Sequence, residues 1–201
     1  MRDYYEELWE RLPEHLEPPD LGLRSAFARD NVRPGDRVLD LGCGDGALSG
    51  VLADAAGAST SFVGVDVAEA ALRRARARHP QLTFVLVPID GALPFEDGSF
   101  EVVWASEVIE HVADTARWLS EVRRVLVPHG RLLLTTPNHG RLRLAIGGIA
   151  RYSEPLGDHL HLYSRASLRN VLSEFDFGVT ELRSAAGSPL LKRLLLTCGV
   201  R

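Results

Sequence analysis

One short run of residues limits what this chain can fold into more than any other. It places apolar residues and an acid directly before glycines at every second position, in Val38-Leu-Asp-Leu-Gly-Cys-Gly-Asp-Gly46. The apolar part predicts a short buried strand over 38–41. The glycines allow a sharp turn and leave bare main chain for a ligand, and a helix is predicted next, over 47–56. A strand, a glycine turn and a helix N-terminus together predict a nucleotide-type pocket.

Acidic residues in this turn bear on which ligand it takes. Gly42, Gly44 and Ala47 also satisfy a relaxed dinucleotide fingerprint. However, Asp40 and Asp45 flank the turn and would repel a pyrophosphate. The same carboxylates suit a ligand that carries an ammonium group and a sulfonium. We therefore expect S-adenosylmethionine rather than NAD as the cofactor.

Strand and helix patterns alternate along the chain. Strands are predicted near 38–41, 61–65, 82–87, 101–105, 130–136, 177–183 and 190–197. Helices are predicted near 3–11, 21–30, 47–56, 68–79, 114–126 and 165–175. This order predicts an α/β fold, doubly wound, with a mostly parallel sheet and helices on both faces. In such folds, ligands bind beyond the carboxyl ends of the strands.

Two further acids follow the second and third predicted strands. Asp66 stands where an acid accepts hydrogen bonds from ribose hydroxyls, about 20 residues after the glycine turn. The alternative is that it caps the helix beginning near Ala68, and a carboxylate can do both. Asp90 could accept from an adenine amino group while Ile89 covers the ring, or it could be a plain loop residue.

Together these motifs resemble the class I S-adenosylmethionine-dependent methyltransferases, and within them the small-molecule branch that includes O-methyltransferases of quinone precursors. The resemblance covers 33–183 and rests on Val38–Gly46, Gly64-Val-Asp66, Asp90-Gly-Ala-Leu-Pro-Phe95 and Phe100-Glu-Val-Val103. It implies a seven-stranded sheet whose last strand is antiparallel. It also implies a cofactor site whose methionine end lies at Asp40, Gly42 and Gly44. The full set of implied cofactor residues is Asp40, Gly42, Cys43, Gly44, Asp66, Val67, Asp90, Gly91 and Ser106.

One residue departs from the family pattern. Glu101 stands where the family commonly has an aspartate after the phenylalanine. The carboxylate is kept, so the departure leaves the resemblance intact.

The segment after the fourth predicted strand, Ser106-Glu-Val-Ile-Glu-His-Val112, carries the candidate catalytic residues. In a turn of helix Glu107, Glu110 and His111 would share one face, and two carboxylates with an imidazole can hold a divalent metal. Alternatively, Glu107 caps the helix or touches the cofactor, Glu110 is solvated, and His111 is a base or a packing residue. The spacing also resembles that of metal-using methyltransferases of quinone precursors and of small-RNA 2′-hydroxyls. We expect Glu107 and His111 to act in catalysis without a metal, with His111 as the general base.

Aromatic and histidine side chains at two places are expected to meet the substrate. Aromatic residues near the N-terminus suit an aromatic or otherwise apolar acceptor. His159 and His161 alternate along a predicted extended segment and so point to the same side. The alternative is that these histidines anchor the loop through backbone hydrogen bonds. The candidate substrate residues are Tyr4, Tyr5, Trp9, His161 and Tyr163.

The span 138–156 is longer than most connections within a domain. Its apolar residues, interleaved arginines and Gly147-Gly148 predict a hinged lid over the substrate. A helix packed on the sheet edge and a peripheral contact with a membrane surface are the alternatives. We expect one methyltransferase domain over 1–201, with an N-terminal helical cap over 1–32 and a lid insertion over 138–160.

Composition bears on the function classes that remain. The net charge is −4, and the densest basic cluster, Arg73-Arg74-Ala-Arg76-Ala-Arg78, is typical of a solvated helix face, so no nucleic-acid partner is expected. Two cysteines and a start unlike a signal peptide favour the cytoplasm. We expect O-methylation of a small molecule by in-line transfer. A metal-dependent RNA 2′-O-methyltransferase and a non-catalytic cofactor-binding protein are the alternatives, and the oligomeric state stays open.

Overall fold

A seven-stranded sheet forms the centre of the molecule. A computed structural model describes residues 2–14, 17–57, 62–89, 91–139, 159–187 and 192–201. The strands are β1 (Val38–Leu41), β2 (Phe62–Asp66), β3 (Thr83–Leu86), β4 (Phe100–Ser106), β5 (Leu126–Pro137), β6 (Gly178–Gly187) and β7 (Lys192–Val200). Their spatial order is β3-β2-β1-β4-β5-β7-β6, and β7 runs antiparallel to both of its neighbours while β1 to β5 pair in parallel. The predicted fold class and the antiparallel last strand are confirmed.

Six helices of the described chain connect or cover these strands. They are α1 (Arg2–Arg11), α2 (Leu21–Asn31), α3 (Ser49–Ala56), α4 (Glu69–Arg78), α5 (Thr115–Val125) and α6 (Arg165–Glu174). A short 3₁₀ turn, Ile109–His111, follows β4. Most boundaries lie within two residues of the prediction. The exceptions are the start of β5 and the ends of β6 and β7, which lie three or four residues from the predicted positions. β5 begins at Leu126, directly after α5, because Leu126 is buried and pairs with Phe100 ahead of a register shift in β4.

Two apolar layers lie on opposite faces of the sheet. Alternate residues of one strand enter different layers: Leu39 packs with the buried residues of α5 and α6, whereas Val38 packs with those of α2, α3 and α4. This is the doubly wound arrangement, in which a strand buried on both faces reads as a continuous apolar run. Among the described residues, no helix has the length and apolar character needed to cross a membrane.

The sheet order sets the position of the site. β1 and β4 are neighbours at the centre, and the chain leaves them for helices on opposite faces. The place where the connections change from one face of the sheet to the other is a topological switch point. A crevice forms there, beyond the carboxyl ends of the strands. The turns after β1, β2 and β4 therefore converge there.

Candidate functional site

A cavity of about 380 Å³ occupies this crevice. Its floor comes from the glycine turn after β1, the ends of β2 and β4, and the loop after β3. Its walls come from α1 and the start of α5. The lining includes Tyr5, Leu8, Trp9, Leu12, Gly42, Gly44, Asp66, Val67, Gly91, Ser106, Glu107 and His111. The volume falls within the range of small-molecule sites, which begins at about 300 Å³.

The main chain of the glycine turn lies very close to neighbouring groups. Gly42 and Gly44 have φ of 80° and 54°, in the left-handed region that favours glycine. A Cβ atom on Gly42 would lie 2.5 Å from a methyl group of Val108, and one on Gly44 would lie 2.8 Å from the ring of Trp9. The amides of Gly42 and Cys43 both donate to the carbonyl of Val65. The turn is thus tied to the end of β2 and has no room for side chains at either glycine.

Asp66 joins the glycine turn to the start of α4. One carboxylate oxygen accepts from the amide of Gly44 at 2.9 Å, and the other accepts from the amide of Ala68 at 3.0 Å. Burial raises the pKa of Asp66. Ala68 is itself the residue that precedes the helix, and no side chain of its own caps α4. Asp66 therefore closes a turn before the helix, and each of its oxygens retains a lone pair that can accept from a ribose hydroxyl.

The two other acids of the turn have partners within the protein. Asp45 lies 2.9 Å from the guanidinium of Arg78, so its charge is offset and it repels an anion less than the sequence argument assumed. Asp40 is buried and accepts from the hydroxyl of Ser49 at 2.7 Å. Burial is the main cause that raises the pKa of Asp40 to about 7. Its carboxylate lies outside the described cavity lining, and its contact with the cofactor stays a prediction.

Glu107 lies at the carboxyl end of β4 with φ of 58°, a strained value for a residue with a side chain. One of its oxygens accepts from the hydroxyl of Thr135 at 3.0 Å, and the other lies 3.5 Å from the buried guanidinium of Arg24. The hydroxyl of Ser106 contacts the same threonine at 2.7 Å. These contacts hold the Glu107 carboxylate at the floor of the cavity.

Glu110 is fully buried, so the alternative that it is solvated is wrong. Its segment forms a 3₁₀ turn rather than a turn of α-helix. One carboxyl oxygen accepts from Thr136 at 2.9 Å, and the other lies 4.0 Å from Nε2 of His111. Its backbone carbonyl accepts from the amides of Leu160 and His161, which brings the histidine segment to this turn. Burial, and then the nearby Glu107 carboxylate, raise the pKa of Glu110 well above its ordinary value.

The group of residues with metal-ligand spacing differs from the predicted one. Within the described chain it consists of Glu110, His111 and His159, whose ligand atoms lie within 4.8 Å of one another. The rings of His111 and His159 meet edge to face, with centroids 4.7 Å apart. Glu107 is held by Arg24 and Thr135 instead, so the alternative of a metal group made of Glu107, Glu110 and His111 does not match the arrangement of the described residues.

Comparison with known proteins connects this geometry to a family. A family model described as a methyltransferase domain matches residues 39–134. A demethylmenaquinone methyltransferase of Symbiobacterium thermophilum is 36% identical over 115 residues, covering 55% of this chain and 46% of that protein. A glycine/sarcosine/dimethylglycine N-methyltransferase of Actinopolyspora halophila is 32% identical over 142 residues, covering 68% of this chain and 24% of that protein. The chain thus spans less than half the length of these curated relatives.

A solved structure gives the fold. An S-adenosylmethionine-dependent methyltransferase from Mesorhizobium loti superimposes with a TM-score of 0.72 at 20% identity, covering 90% of this chain and 98% of that one. The chain belongs to the class I S-adenosylmethionine-dependent methyltransferases. The fold class and the antiparallel last strand are as the sequence predicted. The glycine turn and Asp66 line the cavity, and their roles toward the cofactor stay predictions.

The predicted substrate residues of the methyltransferase separate into two groups. Tyr5 and Trp9 line the cavity, as expected. Tyr4 is 45% exposed, and the buried Tyr163 packs in the core with α5 and α6. Nε2 of His161 donates to the carbonyl of Val112 at 2.9 Å, which agrees with the backbone-anchor alternative. Among the described residues, these last three side chains lie outside the cavity lining.

Other predicted positions lie elsewhere or are not described. Cys43 is buried, within 3.2 Å of where a Cβ on Gly64 would stand, and burial raises the pKa of its thiol well above the ordinary value. Asp90 and most of the predicted lid, 140–158, lie outside the described residues. Val67, Gly91 and Ser106 line the cavity as expected.

One wall of the cavity was missed in the sequence. Four residues at the start of α5 line it, namely Asp114, Arg117, Trp118 and Glu121. They follow the spacing i, i+3, i+4 and i+7, which places them on one face of a helix. This spacing could have indicated the wall. However, the face combines charged residues with one aromatic residue, which is also typical of a solvent-exposed helix face.

Proposed function

We propose that this chain transfers the methyl group of S-adenosylmethionine to an oxygen of a small apolar or aromatic acceptor. The observation that carries the proposal is one cavity bounded by the glycine turn and Asp66 on one side and by His111 on another, with an apolar wall from α1. The cofactor fits the residues present, because Gly42, Gly44 and Asp66 line the cavity together and the Asp66 carboxylate offers acceptors there. When bound, the cofactor supplies a methyl group on a positively charged sulfur.

The protein's own contribution is positioning and removal of a proton. Gly42, Gly44 and Asp66 hold one reactant against bare main chain, and the cavity walls hold the other in line with it. His111 lies at the cavity and can take the proton from an acceptor hydroxyl, because imidazoles exchange protons near neutral pH. The buried Glu110 carboxyl, with one oxygen 4.0 Å from Nε2, can orient the imidazole.

The acceptor class is inferred from the wall of α1. Tyr5, Leu8, Trp9 and Leu12 present an apolar and aromatic surface to the cavity, which favours a ring or an alkyl chain over a highly charged acceptor. One relative is named for a quinone and another for small amines. Quinol-type phenols are therefore the acceptors to test first, with small amines as the comparison.

Replacement of Asp66 by alanine tests the cofactor assignment. We expect calorimetry to give binding of S-adenosylhomocysteine to the wild-type chain, without comparable binding of NAD. Asp66→Ala should weaken that binding by about 1–3 kcal/mol, the loss expected for hydrogen bonds to a charged group. Asp54→Ala removes an exposed acid of α3 and is the matched control. Wild-type affinity in the Asp66 variant would refute the ribose assignment.

A metal is the second possibility, favoured by the spacing of Glu110, His111 and His159. We nevertheless expect methyl transfer to proceed without one, because short ligand motifs are permissive. A chelator should leave the rate unchanged, and zinc or manganese should not bind in calorimetry. Loss of activity on chelation, with recovery on adding magnesium, manganese or zinc, would reverse this preference. Recovery together with RNA binding at physiological salt would favour the RNA 2′-O-methyltransferase alternative.

The burial of Glu110 decides which variant can test the metal. Glu110→Ala would leave Thr136 without its acceptor in the core, so its loss of activity would not identify a ligand. Glu110→Gln keeps an acceptor and the side-chain volume while removing the group that can ionise and bind a metal. If no metal is used, we expect Glu110→Gln to fold normally and to retain cofactor binding.

A further inference from the structure

The arginines of the basic cluster lie on the solvent-facing side of α4, as the sequence predicts, but they also pair with groups on other elements. Arg78 pairs with Asp45 in the glycine turn, and Arg76 pairs with Glu69 of its own helix and donates to the carbonyl of Phe84. Arg73 and Arg74 instead face the segment that contains α1. The arginines of α4 thus contact both the glycine turn and the segment that contains α1, which border the cavity.

α1 packs against α4 more than against any other helix or strand of the described chain. None of its residues is buried, although Tyr5, Leu8 and Trp9 line the cavity. The guanidinium of Arg74 donates to the carbonyls of Leu12 and Pro13 at 2.7 and 3.0 Å, and it lies 5.9 Å from the ring of Trp9. That ring in turn covers Gly44. α1 is therefore a wall rather than a part of the core.

Glu6 adds a contact that reaches towards the ribose site. Its carboxylate accepts from the amide of Ala70 at 3.0 Å and lies 3.6 Å from Arg73. α4 has no capping side chain next to it in sequence, so α1 provides the acceptor for this helix N-terminus. Asp66 binds the amide two residues earlier, at Ala68. Docking of α1 and the position of Asp66 thus depend on the same turn.

We propose that Arg73 and Arg74 are positioning residues that hold α1 against the cavity. α1 must move away from the cavity before the cofactor product can leave, so this contact sets the rate of product release. The proposal rests on the proposed cofactor. Its physical basis is that the contacts are numerous but individually weak: the Arg73 and Glu10 side chains are 57% and 59% exposed, and exposed ion pairs contribute little each. Such a wall can open repeatedly without unfolding the core.

The test is the dissociation rate of S-adenosylhomocysteine, measured by chasing bound, labelled product with excess unlabelled product. We expect the double variant Arg73→Ala/Arg74→Ala to release it about tenfold faster, from the loss of one cation–π contact and several polar contacts. Arg76→Ala, on the same helix but paired away from α1, should stay near the wild-type rate. Arg73→Lys should also stay near it, because lysine keeps the charge.

Salt gives a readout that a merely structural role would not change. Raising ionic strength from about 0.1 to 1 M shortens the screening length from about 10 to 3 Å, so the wild-type rate should rise with salt. The rate of the double variant should be nearly independent of salt. Equal rates and equal salt dependence in the double variant and in Arg76→Ala would overturn the proposal. If wild-type chain binds no S-adenosylhomocysteine at equilibrium, it is the proposed function that fails.

Discussion

Replacing His111 by glutamine should lower the rate of methyl transfer about 100- to 10,000-fold, the contribution typical of a general base. The affinity for S-adenosylhomocysteine should hardly change, because the cofactor residues Gly42, Gly44 and Asp66 lie on other turns. The imidazole lies at the cavity and contacts the rings of Tyr5 and His159 edge to face. Glutamine can keep a polar contact there but cannot take up a proton.

The measurement is a single-turnover rate with a phenolic acceptor across the pH range. The loss of rate in His111→Gln should be smallest at high pH, where a phenolic acceptor ionises without help from a base. His161→Gln is the matched control, since His161 donates to the carbonyl of Val112 and glutamine can still do so. If the control loses as much activity as His111→Gln, the base has been assigned wrongly. An unchanged rate in His111→Gln would mean that the acceptor needs no base here.

The parts of the fold that the sequence predicted well are those fixed by local pattern. β1 is covered on both faces. Its sequence, Val38–Leu41, therefore needs four residues in a row that are apolar or hydrogen-bonded, and this pattern predicts a strand. The glycines that follow are needed for backbone angles and close approaches that no other residue fits. Asp66 was predictable because the end of β2 must lie beside β1 in a parallel sheet.

The parts that were wrong depend on contacts distant in sequence. The burial of Glu110 follows from Thr136 on β5 and from the main chain at Leu160, neither of which its own segment indicates. Arg73 and Arg74 do lie on the solvent-facing side of their helix, but their partners come from the segment that contains α1, which the sequence of α4 does not indicate. A charged residue in the sequence therefore indicates an exposed position only where no element distant in sequence packs against it.

Asp40→Asn should stabilise the protein above neutral pH. The pKa of Asp40 is about 7 in the folded protein, against an ordinary value of 3.8, and burial is the main cause. Between these values the folded state binds more protons than the unfolded state, so the free energy of unfolding falls as pH rises from about 4 to about 7. The penalty at higher pH is at most on the order of 4 kcal/mol, at about 1.4 kcal/mol per pKa unit. Asparagine does not ionise, yet its side-chain carbonyl can still accept from Ser49.

Urea unfolding at pH 5 and at pH 8 checks this expectation. The stability advantage of Asp40→Asn over the wild type should be larger at pH 8 than at pH 5, where only part of the wild-type penalty has developed. Asp54→Asn changes an exposed aspartate and should follow the wild type at both values. A variant that is equally destabilised at both pH values would show that the hydrogen bond from Ser49 needs the carboxylate itself. Because Asp40 is also predicted to lie near the methionine end of the cofactor, we expect the stabilised variant to bind S-adenosylhomocysteine more weakly in calorimetry.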